Sequence, residues 1–327
     1  MNTPVRTMVL GRNEMPLLKY IYLQGMGPLL TGLFAHGILK LVVLPMEDSF
    51  AEGLEKMLPG LVRPYYDPVI DRTYTIMALS GLSAYVVVAM GFCTLLDLFP
   101  SVTMAHKVQG HRNYFTLPEW LQAVGVGLIN LLCFSWFATL PCWVLQRDGY
   151  LRGGTPATAV EAEFDLPTAM LHFAIHGIVI DVWFYGTHRL IHCPILYRWI
   201  HKFHHRFKAP TAVACVYANP LEFIVGNVGG VVLGPALTNC HPYSAAFWMA
   251  YAITSTSFSH SGYTVFGATS HDQHHEHFDF NFGVLITDAV LGTKFEGSAR
   301  QKRILAEAAA KRQEAKSVQS TFKEKTT

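Results

Sequence analysis

The chain is short of charge. Asp, Glu, Lys and Arg make up 15% of its 327 residues against 51% hydrophobic residues, and its mean hydropathy is positive. An average soluble domain carries about 25% charged residues, so an ordinary water-soluble globule is a poor fit. The formal net charge is only +2, and the aromatics are not interleaved with basic runs, which leaves no footprint for nucleic acid. No Cys-x-x-Cys pair occurs, and the six cysteines (Cys93, Cys133, Cys142, Cys193, Cys215 and Cys240) are scattered. That pattern speaks against a cysteine-ligated structural zinc and a disulfide scaffold, and it fits a reducing compartment. There is no tandem repeat and no flavin or dinucleotide fingerprint. No cleavable signal peptide is expected either, because Gly25-Met26-Gly27-Pro28 interrupts the first apolar run.

In place of charge the chain has apolar runs and histidine. Leu17 to Leu44 (broken by Pro28), Thr73 to Phe99, Trp120 to Leu145 and Thr168 to Tyr185 are candidate membrane spans. Trp120, Trp136 and Trp143 are available as interface anchors. Phe223 to Leu237 and Tyr243 to Phe258 are shorter and joined by Thr238-Asn239-Cys240-His241-Pro242, a helical hairpin that either re-enters or crosses. Gly226, Gly229, Gly230 and Gly234 on its first arm are either helix-packing positions or the wall of a pocket for a flat ligand. The expected fold is therefore an all-α integral membrane protein. It has about four transmembrane helices, a short hairpin and a histidine-rich helical cap holding a di-metal site. Three regions follow: a membrane-spanning part (1–167), a catalytic part (168–297) and a charged, solvated tail (298–327).

Lys and Arg set an orientation. Segments 1–19, 99–118, 187–220 and 276–327 carry 19 of them, and segments 45–72 and 147–167 on the other side carry 5. The positive-inside rule places both termini and all the histidine clusters in the cytosol.

Sixteen histidines are present, and eight fall into three modules. His188 and His192 are spaced i, i+4; His201, His204 and His205 are spaced i, i+3, i+4; His271, His274 and His275 repeat that second pattern. On a helix such offsets bring side chains to one face. A single H-x-x-H-H is expected by chance roughly 0.04 times in this composition, so two are not accidental. Cys193-Pro194 should break the helix between the first two modules and let them face each other. Neutral imidazole is the commonest metal ligand, and eight exceed what one four-coordinate zinc requires. Two metals sharing a histidine cage is the simplest account.

The ordered phrases HRLIH (188–192), HKFHH (201–205) and HDQHH (271–275) resemble the fatty acid hydroxylase and sterol desaturase superfamily of membrane di-iron oxygenases. The resemblance covers about Asp181 to Lys294 and reaches weakly back to the loop before Trp120. YANPLE (217–222), HSGY (260–263), FNFGV (280–284) and DAVLGT (288–293) are similar to the methylsterol monooxygenase branch and the fatty acid hydroxylase domain-containing proteins. Two departures stand out: Asn219 where the branch usually has His, and Thr256 where some members carry a further histidine ligand. The resemblance adds His260 to the ligands, making nine: His188, His192, His201, His204, His205, His260, His271, His274 and His275.

The resemblance implies two non-haem irons, O2, and electrons from NAD(P)H through cytochrome b5 or a similar carrier. It also implies a multi-pass protein of the endoplasmic reticulum membrane. The implied reaction is oxidation of a sterol or other lipid, with C-4 methylsterol oxidation first. A sphingoid or fatty-acyl hydroxylase and a sterol desaturase are the alternatives within the class, and a membrane metal carrier or sensor is the non-enzyme alternative. Asp181, Glu222, Asp272, Glu276 and His277 are candidates to orient the ligands from behind. His172 and His176 form a further H-x-x-x-H inside a span and are read as core or substrate-channel residues. His36, His106, His111 and His241 are read as structural or exposed.

Overall fold

A computed structural model describes residues 29–43, 68–135, 138, 141–142 and 164–324. Among them it holds helices and no strand. The helices of nine residues or more are α1 (Leu29–Val43), α2 (Pro68–Ala84, continuing without a break to Asp97), α3 (Leu117–Phe134), α4 (Leu166–Ile191), α5 (Pro220–Thr238), α6 (Pro242–His260), α7 (Thr269–His277) and α8 (Ala299–Glu324).

Local chemistry starts four of the helices, α3 to α6. Thr116 and Glu119 form a reciprocal capping box at α3, and the Asp165 carboxylate accepts from Thr168 N–H at α4. The Asn219 side chain accepts from Leu221 N–H, and His241 Nδ1 accepts from Tyr243 N–H. Pro118, Pro167, Pro220 and Pro242 follow in the first turn, where a missing N–H costs nothing.

Among the described residues, four helices are long and apolar enough to cross a membrane: Ile76–Asp97, Leu117–Phe134, Leu166–Ile191 and Pro220–Thr238. Their number is the one expected, but their membership differs. The first apolar run is described only over the 15 residues of α1, and its start at 17–28 lies outside the described residues. The first hairpin arm is longer than its apolar run, because Asn219 caps the helix ahead of Pro220-Leu221-Glu222. Asn239, in the left-handed region at φ 45°, turns the chain into α6. Both arms of the hairpin therefore open at the same end, where Glu222 and His260 stand.

Packing places the core between α2, α3 and the hairpin. Ala245, Ala246, Ala250 and Ile253 of α6 are buried, and the flank of α2 at Gly81 lies against Met249 and Ile253. Tyr85 of α2 donates its hydroxyl to Val213 O at 2.9 Å, which fastens the buried 212–218 stretch under the histidines. On the other side α5 packs along α4. A Cβ on Gly230 would come within 2.6 Å of Ile180 Cδ1, and one on Gly234 within 3.0 Å of the His176 backbone. None of the four glycines lines the cavity that reaches the histidines. Gly230 and Gly234 are helix-packing positions against α4, which is the helix-packing alternative. Gly230→Leu is thus expected to destabilise the fold by about 1–3 kcal/mol through overpacking. A lowered thermal midpoint in detergent, at unchanged metal content of the folded fraction, is the check.

All six cysteines are free. The tail beyond Ser298 is helical through Glu324, and its described side chains are exposed or half-buried, none of them buried.

Candidate metal centre

The nine histidines reach one place from four segments. His188 and His192 stand on the last turn of α4 and just beyond it. Pro194 starts a new short helical stretch, as its position after Cys193 requires, and this carries His201 before a tight turn at His204–Arg206. His260 ends α6, and α7 holds His271, His274 and His275.

They divide into two groups. His188, His192, His201, His205 and His274 form one, and His204, His260, His271 and His275 form the other. Within each group the potential ligand atoms all lie within 4.8 Å of one another. Nε2 atoms face each other: His188 to His201 at 3.0 Å, His192 to His274 at 3.2 Å, and His205 to His274 at 3.1 Å. In the second group His260 meets His271 at 2.9 Å, His271 meets His275 at 3.2 Å, and His204 meets His260 at 3.4 Å.

The outward nitrogens fix the protonation pattern. His188 Nδ1 donates to Phe282 O at 2.8 Å, and His201 Nδ1 to Glu222 Oε1 at 2.8 Å. His204 Nδ1 donates to Tyr217 O at 2.9 Å, His260 Nδ1 to Thr256 O at 2.8 Å, and His274 Nδ1 to Phe280 O at 2.6 Å. A neutral imidazole with its proton on Nδ1 has only a lone pair on Nε2. In the His188–His201 and His204–His260 pairs both rings are so committed, and no proton remains to join the facing nitrogens. A cation between them turns that repulsion into coordination. The donor sets therefore fit two metal ions, with outer hydrogen bonds holding ring orientation as metal-ligating histidines require.

Burial keeps these rings neutral. It holds His192 and His204 at about 4, and burial with neighbouring imidazoles holds His201, His205, His271, His274 and His275 well below the ordinary histidine value. Without metal, the unfolded chain takes up protons near pH 6.5 while the folded chain resists to lower pH. The folded state then loses stability as pH falls from about 6.5 toward 4. The metal-free protein is expected to show a melting midpoint that falls over that window, with the metal-loaded protein flatter down to the pH at which metal leaves.

Of the five residues expected behind the ligands, only Glu222 contacts one of the nine. Asp181 accepts from backbone amides of residues 284–287. Asp272 accepts from Gln109 Nε2 and Asn113 Nδ2, both at 2.8 Å, and burial raises its carboxyl to about 7 against those donors. Glu276 approaches only His277, at 3.8 Å, and His277 stacks on Phe295. For Asp272, Glu276 and His277, proximity in sequence to the histidines does not become contact, because α7 turns these side chains away from its ligand face.

Sequence reasoning passed over the 104–113 loop. Lys107, buried, pairs with Asp97 at 2.7 Å and donates to Asn113 O and Ser261 O at 2.9 and 2.8 Å. Val108 N–H donates to Gly262 O at 2.8 Å. Together with the Asp272 contacts, this clamps His260 and α7 in place. A buried lysine in a polar-looking loop left no periodic signal to read. His176 joins neither group; its Nε2 meets Thr238 Oγ1 at 2.9 Å, consistent with a core residue.

A cavity of about 370 Å³ runs from the histidines into the bundle. His201, His204, His260, His271 and Glu222 line one end, and Phe173, Val231, Trp248 and Tyr251 line the other.

A helical membrane protein with nine clustered histidines in two groups, seven of them buried, above an apolar cavity is the class that fold and site define. Residues 173–293 match the family model described as Fatty acid hydroxylase, and this histidine-bearing stretch is a domain of that family. The chain is 39% identical over 136 residues to human fatty acid hydroxylase domain-containing protein 2, covering 39% of this chain and 41% of that protein. It is 28% identical over 243 residues to fatty acid hydroxylase ahd1 of Mycosarcoma maydis, covering 71% and 62%. With methylsterol monooxygenase 1 of Rattus norvegicus it shares 31% identity over 141 residues, covering 39% and 48%. The chain thus spans between two fifths and three fifths of the length of these relatives. No solved structure matches it.

Proposed function

We propose that the protein is a membrane di-iron oxygenase acting on a sterol or other lipid. The observation that carries this reading is the cavity, whose apolar length ends on histidines of both groups. The nine histidines are assigned as iron ligands. When bound, the irons supply the reduction of O2 and the oxidation of an unactivated C–H bond, which side chains cannot perform. The protein's own part is to hold the nine rings together, five of them with the proton fixed on Nδ1, to exclude water, and to present an apolar slot. Glu222 accepts the His201 Nδ1 proton and keeps Nε2 aimed inward. Electrons are assigned to cytochrome b5 or a similar carrier, and the location to the endoplasmic reticulum membrane with the histidines cytosolic.

A 4-methylsterol is the first substrate to try, since methylsterol monooxygenases are among the relatives. Purified iron-loaded protein with reductant and O2 is expected to oxidise a 4,4-dimethylsterol faster than a sphingoid base or a free fatty acid. The reverse ranking would move the assignment to lipid hydroxylation and leave the metal centre standing. Neither group extends along the spans, so nothing favours a metal carrier.

The orientation has its own test. Tags at residue 1, in the exposed turn at His111–Arg112, and at residue 327 are expected to be cytosolic, with one near residue 155 lumenal. A cytosolic tag at 155 would require one span to be redrawn.

A further inference from the structure

Asp181 serves no histidine, yet it is buried within a span. It lies ten residues before the end of α4 at Ile191, about 15 Å of helical rise from the histidine end. Its carboxylate accepts five hydrogen bonds from one short segment. The N–H groups of Val284, Leu285, Ile286 and Thr287 donate at 2.9, 2.8, 3.0 and 3.0 Å, and the Thr287 hydroxyl donates at 2.6 Å. Asp288 closes the same segment on itself, accepting from Phe282 N–H at 2.9 Å, Gly283 N–H at 2.6 Å and the Thr293 hydroxyl at 2.7 Å. Gly283 has to be glycine, since a Cβ there would sit 2.9 Å from Asp181 Oδ1. Leu285 reaches a turn deeper, to 3.4 Å from where a Cβ on Gly177 would stand.

A loop leaving the third histidine module for water would not lie beside residues 177–181 of a span. The side chains it turns outward are also the wrong kind for water. Val284, Leu285, Ile286, Val290 and Leu291 are 52%, 63%, 67%, 73% and 53% exposed. They continue the apolar flank of α4, where Ile178 and Val182 are each 62% exposed. Within the segment only Thr287–Val290 is a helical turn, and the non-helical backbone before it is tolerated at membrane depth only when its polar groups are satisfied inside the protein. Asp181 supplies that satisfaction to four consecutive amides, and the amides in turn make a carboxylate at that depth tolerable.

We infer that residues 284–291 form an apolar finger inserted into the acyl-chain region of the bilayer beside α4, with hydrocarbon as its partner and Asp181 as its internal anchor. At the base of the finger, Gly283 and parts of the half-exposed Val284 and Leu285 also border the cavity, beside Gly177, Ile180 and Phe184. There the finger is the layer between the cavity and the lipid. The inference rests on the membrane spans and is independent of the oxygenase reading.

Spin labels test it in liposomes. Ile286→Cys and Val290→Cys are labelled separately in a Cys133→Ser, Cys193→Ser background. Ile178→Cys serves as the span reference and Asp279→Cys, whose side chain is 74% exposed, as the aqueous one. Both finger labels are expected to be several-fold more accessible to oxygen than to a water-soluble nickel chelate, as at 178. Nickel access matching that at 279 would overturn the insertion. Shielding from both reagents would overturn it in favour of a protein contact. Asp181→Ala is expected to raise nickel access at 286 at least threefold, and unchanged access would remove Asp181 as the anchor.

Discussion

Replacing His274 by Ala is expected to lower bound iron to one per chain or fewer and to reduce turnover at least a hundredfold. His274 is central to the first group, with its Nε2 3.2 Å from that of His192 and 3.1 Å from that of His205. Its Nδ1–H is held by Phe280 O at 2.6 Å, so the ring cannot be replaced by a neighbour swinging in. Loss of a buried metal ligand also leaves the remaining lone pairs facing each other without a cation. His277→Ala, one turn on, is the control: that ring stacks on Phe295 outside both groups, and its loss is expected to leave iron unchanged. Iron analysis of the purified variants beside a lipid oxidation assay reads both effects. Equal iron and activity in His274→Ala and wild type would remove the first group.

Glu222 gives the second large effect. Its Oε1 accepts from His201 Nδ1, while its Oε2 is buried with no protein partner, and the residue lines the cavity. Glu222→Ala removes the acceptor that fixes His201, and a 10–100-fold loss in metal affinity or activity is expected, as for other partners behind metal ligands. Glu222→Gln keeps an acceptor oxygen and should recover most of the metal content. A structural role alone would lower thermal stability equally in both variants and leave the affinity of the folded protein untouched. The affinity difference between Ala and Gln is therefore the readout that decides.

The two groups show how far the sequence carries. Eight of the nine positions were legible because i, i+3, i+4 spacing marks one face of a helix, and His260 came from the resemblance. Their division was not. His204 and His205 are adjacent yet join different groups, and so are His274 and His275. Neighbours on a helix point about 100° apart, so one H-x-x-H-H phrase feeds two sites. His271 and His275, four residues apart on α7, stay together. Four of the five acceptors for the Nδ1 protons had no sequence signal, because they are backbone carbonyls, of Tyr217, Thr256, Phe280 and Phe282; the fifth, Glu222, was the one expected from the sequence. Acidic residues beside the histidine phrases looked like the obvious partners. Asp272 went instead to Gln109 and Asn113, and Asp181 to a loop more than a hundred residues away. Such long-range pairing is set by tertiary packing and is invisible to local periodicity. The hairpin's first arm was underestimated because its start is written in a cap, Asn219-Pro220, and not in hydropathy.

The measurement that bears most directly on the centre is the metal content of the purified, detergent-solubilised protein loaded with ferrous iron under exclusion of air. The account predicts two irons per chain, falling to one or fewer when His260, which belongs only to the second group, is replaced by Ala. One iron per chain in the wild type, or two retained after His260→Ala, would contradict the two-site centre.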